Sequence, residues 1–274
     1  LRPPWPPTWN PMEEITSRSN ARVKAAAQLL SSAAARREEG LFVLEGARLC
    51  MDAGQTGIPL RQLFLTRQAL ERYPKETAFL KERAASVFLI TEEISRRLGD
   101  TQSPQGIFCI CEVLDKRPGD DTIEKNGSYI ALENIQDPSN LGAVARTAEA
   151  LGLSGLIVSG GCDLYSPKAQ RAAMGSLLRV PVLRMDSMEA ALHACRAQGM
   201  RLFASTPRVD ALPVAEAGLG PRTVCVVGNE GAGVTRETMA LCDALVTIPM
   251  RGRAESLNAS AAAAILMWEM MRER

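Results

Sequence analysis

The sequence predicts an α/β protein of two domains, of which the second is built on a parallel β-sheet. Runs of Val, Ile and Leu alternate with helical patterns. In the second half these runs are apolar on both faces, as parallel strands covered by helices are. A polar stretch with Gly and Pro, residues 115–127, is the expected linker. Three polar segments each follow an apolar run and precede a helical pattern, which predicts that all three lie at one edge of one sheet.

The composition excludes several classes of protein. Of the 274 residues, 46% are hydrophobic and 23% are charged, and no apolar run approaches the roughly 20 residues that span a membrane. The net charge of +1 argues neither for nor against a nucleic-acid partner, and any basic surface must be local. Seven cysteines without the spacing of a disulfide framework predict a reducing, cytoplasmic location. A single histidine and no Cys cluster argue against a metal site.

The first domain is predicted to span residues 12–114. Residues 1–11 are rich in Pro and are expected to be a disordered or artificially added extension. A helical pattern covers residues 21–37. Strand-like runs, separated by helical patterns, follow at 41–44, 62–66, 86–90 and 106–110. This alternation indicates a small α/β layer.

The second domain is predicted to span residues 128–274. Its strand candidates are 129–133, 155–159, 180–184, 201–205, 223–228 and 244–248. Helical patterns fill the gaps, and the last runs from 258 to about 272. Ligands of parallel sheets bind beyond the carboxyl ends of the strands, where the three polar segments are expected.

Each polar segment, taken alone, also has a purely structural interpretation. In residues 134–146 a Ser or Asn caps a helix, in 226–233 the glycines form a turn, and in 248–260 a Ser or Asn caps the final helix. Neither residues 226–233 nor the pair Gly160-Gly161 has the spacing of a dinucleotide- or phosphate-binding loop. This weighs against a Rossmann dehydrogenase and a P-loop enzyme. The occurrence of all three segments in order, at strand ends, favours a shared site.

Three motifs lie within these segments: Asp137-Pro-Ser-Asn-Leu-Gly-Ala-Val-Ala-Arg146, Gly228-Asn-Glu-Gly-Ala-Gly233 and Ile248-Pro-Met-x-Gly-x-x-x-Ser-Leu-Asn258. In this order and spacing they resemble the motifs of the SPOUT-class RNA 2′-O-ribose methyltransferases of the SpoU/TrmH group. The first domain is similar to that group's L30e-like substrate-binding module, with cues in residues 17–24, 40–46 and 104–106. One departure is Ala259, where many relatives carry Val.

The resemblance implies S-adenosylmethionine as the cofactor, a deep trefoil knot in the C-terminal domain and an obligate homodimer. It places the cofactor against the loops that contain Thr206, Gly228, Ile248, Met250 and Leu257. It assigns the catalytic site to Arg146, Asn140, Glu230, Ser256 and Asn258.

The chemistry constrains the role of Arg146. A ribose hydroxyl is almost wholly protonated near neutral pH, so the enzyme must take its proton or stabilise the developing alkoxide. The family resemblance assigns the central role to Arg146, sometimes as the base itself. Because arginine is effectively never deprotonated in proteins, a less demanding hypothesis is that Arg146 is a bidentate donor to the adjacent phosphate and the alkoxide, while the proton leaves through phosphate or water. Asn140 would position Arg146 or the ribose, and Glu230 would orient Arg146 or Asn140. Ser256 and Asn258 would complete the polar ring.

The expected RNA-binding surface lies in residues 15–37, which contain no acidic residue and five basic ones: Arg18, Arg22, Lys24, Arg36 and Arg37. A solvated helix face has the same composition. The predicted function is methyl transfer to ribosomal RNA. The alternatives are the same chemistry on transfer RNA, a non-catalytic RNA-binding protein with this fold, and an α/β enzyme unrelated to RNA.

Overall fold

The structure, a computed structural model, describes residues 12–99, 103–114 and 123–272. The chain divides into two compact units. Unit 1 comprises residues 1–114 and 165–170, and unit 2 comprises residues 115–164 and 171–274. No helix in the described ranges is long and apolar enough to cross a membrane.

The expected extension and most of the expected linker, residues 1–11 and 115–122, lie outside the described residues. Residues 123–127, also expected in the linker, pack on unit 2. Ile123 is buried in the core of that unit, and the Glu124 N–H donates to the Tyr129 hydroxyl at 2.9 Å. An apolar side chain at position 123 therefore anchors the entry into unit 2.

Unit 1 contains a five-stranded sheet covered by helices. Its strands are β1 (Glu13–Ile15), β2 (Leu41–Glu45), β3 (Leu60–Leu65), β4 (Val87–Ile90) and β5 (Ile107–Glu112). Its helices are α1 (Ala21–Ser31), α2 (Ala33–Glu39), α3 (Ala47–Thr56), α4 (Arg67–Arg72), α5 (Pro74–Lys81) and α6 (Glu92–Leu98). The strand order is β1-β4-β3-β5-β2, with β5 antiparallel to both of its neighbours. The predicted α/β layer is therefore confirmed.

The single helix predicted over residues 21–37 is wrong, because the chain forms two helices with a break at Ser32. Ser32 has extended backbone, and its hydroxyl accepts the Ala35 N–H to cap α2. The Arg36 guanidinium folds back and donates to the Leu29 and Leu30 carbonyls at the end of α1. These carbonyls would otherwise lack partners at a helix terminus. Arg36 is consequently only 5% exposed.

Unit 2 contains a seven-stranded sheet in which every neighbouring pair is parallel. Its strands are β6 (Tyr129–Glu133), β7 (Gly155–Ser159), β8 (Val182–Met185), β9 (Arg201–Ser205), β10 (Leu212–Pro213), β11 (Thr223–Val227) and β12 (Ala244–Thr247), in the order β10-β12-β9-β11-β6-β7-β8. Its helices are α7 (Pro138–Leu151), α8 (Pro167–Ala173), which begins in the segment assigned to unit 1, α9 (Ser176–Arg179), α10 (Met188–Ala197), α11 (Arg236–Leu241) and α12 (Ala259–Met271).

All residues of β6, β7 and β11 are buried, which is why their sequences are apolar on both faces. The predicted parallel sheet is confirmed. One strand starts later than predicted: β8 begins at Val182 because residues 176–179 are helical and Pro181 has no N–H for a ladder. The short edge strand β10 was not predicted.

Candidate active site at the carboxyl edge of the parallel sheet

Five neighbouring parallel strands, β12, β9, β11, β6 and β7, end at the same edge of the unit 2 sheet. Ile248, Thr206 and Gly228 are the first residues beyond β12, β9 and β11, so the strand register places them side by side. The ladder continues at this edge, since the Thr206 N–H donates to the Val246 carbonyl at 2.9 Å. Three of the five residues predicted to hold the cofactor are therefore neighbours.

The loop that follows β11 is a tight turn. Asn229 and Gly233 exchange two backbone hydrogen bonds, at 3.1 and 2.9 Å. The Asn229 side-chain oxygen accepts the N–H groups of Gly231 and Ala232, each at 2.9 Å. A methyl group on Gly228 would overlap the Gly233 backbone, so only glycine fits where the loop folds back on itself.

Glu230 and Asn140 join this loop to the start of α7. The Asn140 side-chain amide donates to Glu230 Oε1 at 2.8 Å, and the backbone N–H groups of Gln136 and Asp137 donate to the same carboxylate at 3.0 and 3.1 Å. The Asn229 amide adds a bond to the Asn134 carbonyl at 2.9 Å. Glu230 thus accepts three N–H groups from the segment that enters α7.

Asn258 connects the third motif to the same cluster. Its amide nitrogen donates to Asn140 Oδ1 at 3.0 Å. Its side-chain oxygen caps α12 by accepting the N–H groups of Ser260 and Ala261, at 2.9 and 3.2 Å. Asn258 is therefore both a helix cap and a member of the polar cluster. The chain Glu230–Asn140–Asn258 links three segments, and its two hydrogen bonds join residues that are 90 and 118 positions apart in the sequence.

The environment of Glu230 favours its ionised form. Burial of the carboxylate acts to raise its pKa, but the hydrogen bonds from Gln136, Asn140 and Asp137 together outweigh that effect and lower the pKa below its ordinary value. A negative charge is therefore held at the centre of the cluster near neutral pH.

Glu133, the last residue of β6, holds the far end of the same loop and was not predicted as a site residue. It is 4% exposed. It accepts the Thr235 N–H at 2.8 Å, the Thr235 hydroxyl at 2.9 Å and the Thr238 hydroxyl at 2.5 Å. An acidic residue at the end of an otherwise apolar, buried strand is the sequence signal that points to it.

The cap of α7 also differs from the expected one. Ser139 or Asn140 was expected to cap this helix, but Asp137 does so by accepting the Ser139 N–H at 2.9 Å. Pro138 occupies the first helical position, where its missing N–H has no consequence. Asn140 is thereby free to face the cluster, where it is buried.

Arg146 lies on α7 but not in this cluster. It follows Asn140 by six residues, so the two side chains leave the helix in directions about 120° apart, with about 9 Å between them along the axis. Arg146 is exposed and has no hydrogen-bond or ion-pair partner in the part of the chain that the structure describes. Glu230 orients Asn140, and within one chain it does not contact Arg146.

The remaining predicted site residues of unit 2 lie on the loop between β12 and α12. Met250 is half-buried, Ser256 is exposed, and Leu257 is 37% exposed. The loop begins beside Thr206 and Gly228 and ends at Asn258, so it runs from the strand ends to the polar cluster.

The basic residues predicted to bind RNA fall into three groups in unit 1. Arg18 and Arg22 form exposed ion pairs with Glu93 and Glu13 respectively. Lys24 and Arg37 are exposed. Arg36 is buried against the carbonyls that end α1, so it is not available to RNA and we leave it out of the proposed surface.

No group of three or more potential metal ligands is suitably arranged among the residues that the structure describes.

Known proteins share both the sequence and the fold. A profile of the SpoU rRNA methylase family matches residues 127–268, and one of the MRM3-like substrate binding domain matches residues 20–109. The 23S rRNA (uridine(2479)-2′-O)-methyltransferase of Streptomyces viridochromogenes is 31% identical, over 95% of this chain and 92% of that protein. The 23S rRNA (guanosine(2553)-2′-O)-methyltransferase of Bacillus subtilis is 27% identical, over 94% and 99% respectively. An AdoMet-bound rRNA methyltransferase from Sinorhizobium meliloti superposes with a TM-score of 0.83, at 30% identity over 94% and 97%.

The fold and the site define a methyltransferase of the SPOUT class. They combine a parallel sheet, the loops that begin at Thr206, Gly228 and Ile248, and the Glu230–Asn140–Asn258 cluster. The chain belongs to the SpoU rRNA methylase family. The resemblance inferred from the three motifs is thereby confirmed.

Proposed function

We propose that this protein transfers the methyl group of S-adenosylmethionine to a ribose 2′-hydroxyl in ribosomal RNA. The observation that carries the proposal is the junction of two groups at one sheet edge: Thr206, Gly228 and Ile248 beside the cluster of Asn140, Glu230 and Asn258. Two relatives that match nearly the whole chain are named as 2′-O-methyltransferases of 23S rRNA, which favours ribosomal over transfer RNA.

The strand-end loops fit S-adenosylmethionine. Apolar side chains of Ile248, Met250 and Leu257 are half-buried or exposed there, and Gly228 lets the loop after β11 fold back on itself at the same edge. Such a surface at the strand ends suits an adenine ring and its ribose. When bound, the cofactor supplies a methyl group that its sulfonium already activates for in-line displacement. We also propose that these loops form the trefoil knot that the family resemblance implies.

The position of Arg146 supports a homodimer in which this residue acts on the partner's cluster. Within one chain Arg146 faces away from Asn140, and it is exposed without a partner among the described residues. On α12, which packs against α7, an apolar stripe of Ala261, Ile265 and Trp268 is also exposed, with Trp268 at 60%. A second copy on a two-fold axis would cover this stripe.

Replacing Trp268 by Glu is expected to convert the dimer to a monomer and to abolish methyl transfer, because a carboxylate at the centre of an apolar interface has no partner. Light scattering after size exclusion reports the mass. Val209→Glu is the matched control. It also replaces an exposed apolar side chain of unit 2 by a carboxylate, and Val209 is fully exposed outside the α12 stripe. A Trp268→Glu protein with the same mass as the wild type would contradict the dimer.

Residues 12–114 of unit 1 are proposed to bind RNA through Arg18, Arg22, Lys24 and Arg37. The ion pairs of Arg18 and Arg22 are exposed, so exchanging a carboxylate for a phosphate costs little. A cytoplasmic location is also proposed. All seven cysteines are unpaired, as they are in a reducing compartment.

Methyl transfer is expected when the purified protein is incubated with methyl-labelled S-adenosylmethionine and an unmodified ribosomal RNA transcript. The label should lie on one ribose and should make the adjacent phosphodiester resistant to alkali. Asn140→Ala should bind the cofactor but transfer little label, because it interrupts the link between Glu230 and Asn258.

The alternatives give different results in the same assay. If only a transfer RNA transcript is labelled, the substrate is transfer RNA and not ribosomal RNA. RNA binding without label in either transcript would indicate a non-catalytic RNA-binding protein. A protein that binds neither RNA nor the cofactor would refute the proposed function.

A further inference from the structure

Arg251 and Arg253 are two exposed cations on the loop between β12 and α12. Neither has a hydrogen-bond or ion-pair partner within residues 12–99, 103–114 and 123–272. This differs from many other exposed arginines, which have a carboxylate partner: Arg18, Arg22, Arg67, Arg196 and Arg208. The loop contains one acidic residue, Glu255, so its charge is not neutralised locally.

The loop fixes where this charge lies. It starts at the strand-end residue Ile248 and ends at Asn258, whose amide is bound to Asn140 at 3.0 Å. Arg253 is five residues before Asn258, so its Cα lies within about 18 Å of that of Asn258 even if the chain between them is fully extended. Both arginines therefore lie on the short loop that joins the strand-end residue Ile248 to the polar cluster at Asn258.

We propose that Arg251 and Arg253 bind phosphates of the RNA strand beside the target nucleotide. This inference rests on the proposed function. A guanidinium presents a planar pair of N–H donors that matches two phosphate oxygens, and it needs no deprotonation or reorganisation to do so. Phosphate contacts set the register of a nucleic acid without reading its bases. The two arginines would hold the strand in place while the cluster holds the ribose.

The charge also fits RNA better than other ligands of the site. The chain has a net charge of only +1, so long-range attraction to RNA must come from local groups such as these. S-adenosylmethionine has a single carboxylate, so one cation would be enough to pair with its negative charge. Two adjacent cations match a strand that carries one negative charge per nucleotide.

The test is the salt dependence of RNA binding by the full-length protein. Arg251→Gln, Arg253→Gln and the double variant are titrated with an unmodified large-subunit ribosomal RNA transcript at several salt concentrations. Each lost phosphate contact should reduce the slope of log K against log salt by about 0.7–0.9, and the double variant by about twice that. The KM for RNA should rise with the loss of affinity, while the dissociation constant of S-adenosylmethionine stays at the wild-type value.

Lys125→Gln is the matched control. Lys125 is an exposed cation that precedes β6, so it lies at the opposite, amino edge of the sheet. Its loss removes the same charge and should leave the slope at the wild-type value. A double variant with the wild-type slope and KM would overturn the proposal. So would weaker cofactor binding with an unchanged slope, which would assign the arginines to the cofactor.

Measurements on the wild-type protein test the proposed function separately from this inference. If the wild-type protein neither binds the transcript in a salt-dependent manner nor methylates any RNA, both proposals are wrong. If the wild type methylates RNA and the arginine variants have the wild-type slope and KM, the proposed function stands and this inference alone is overturned.

Discussion

Replacing Arg146 by Lys is expected to lower kcat about 100-fold or more, because it removes the paired donors that we propose to stabilise the developing alkoxide. The dissociation constant of S-adenosylmethionine should not change, since Arg146 lies on α7 and is not among the residues proposed to hold the cofactor, such as Thr206, Gly228 and Ile248. Single-turnover methyl transfer and calorimetry measure the two quantities. Arg196→Lys is the matched control, because Arg196 is an exposed, ion-paired residue on α10. Near-wild-type turnover by Arg146→Lys would refute a special role for the guanidinium.

A complementation experiment tests whether Arg146 acts across the proposed dimer. Arg146→Ala and Asn140→Ala chains are each expected to be inactive alone. If Arg146 serves the partner's site, a mixed dimer regains one intact site of two, and random mixing should restore about one quarter of the wild-type activity. If Arg146 serves its own chain, every site keeps one defect and mixing restores nothing. Asn258→Ala replaces Asn140→Ala if the latter does not fold.

Replacing Glu230 by Gln is expected to lower kcat/KM by about 10- to 100-fold, in line with the loss of a charge-assisted hydrogen-bonded group that positions others. Three N–H groups converge on the Glu230 carboxylate, from Gln136, Asp137 and Asn140. A glutamine offers one acceptor oxygen, and its own NH2 group would face a donor. Asn140 then loses its anchor. Glu216→Gln, at an exposed carboxylate, controls for the change in net charge.

The pH dependence of stability follows from the lowered pKa of Glu230. A carboxyl group whose folded pKa lies below its unfolded pKa stabilises the fold above the unfolded value, and this contribution is lost as the pH falls through the folded value. The wild type should therefore be more stable than Glu230→Gln at neutral pH. The difference should shrink on acidification below the ordinary pKa of glutamate. Urea unfolding at pH values down to the lowest at which both proteins fold measures it. A constant difference would contradict this linkage.

The sheet and the three motif loops were predictable because local patterns determine them. Apolar runs that are buried on both faces indicate parallel strands, and the carboxyl ends of such strands meet at one edge. This reasoning placed the segments that contain Gly228 and Ile248 at one edge of the sheet, whereas Thr206 was assigned to the same site only by the family resemblance. Glu230 was predicted to orient either Arg146 or Asn140, and the structure shows its hydrogen bond with Asn140.

Long-range contacts account for what the sequence did not predict. Arg36 belongs to a basic run that resembles a surface, yet the break at Ser32 leaves carbonyls that its guanidinium satisfies. Glu133 is one acidic residue at a strand end, and its partners Thr235 and Thr238 are about 100 residues away. Neither interaction has a periodic signature, because each depends on which segments the fold brings together.

The order in which the ribosome produces the chain has a consequence for when the enzyme becomes competent. Asn258 is made after every strand of the seven-stranded sheet, yet its amide completes the link to Asn140. A nascent chain can therefore form its sheet before the hydrogen-bonded cluster of Asn140, Glu230 and Asn258 is complete. A chain that stops short of Asn258 lacks this link, so we expect it to be inactive toward RNA even when its sheet has formed.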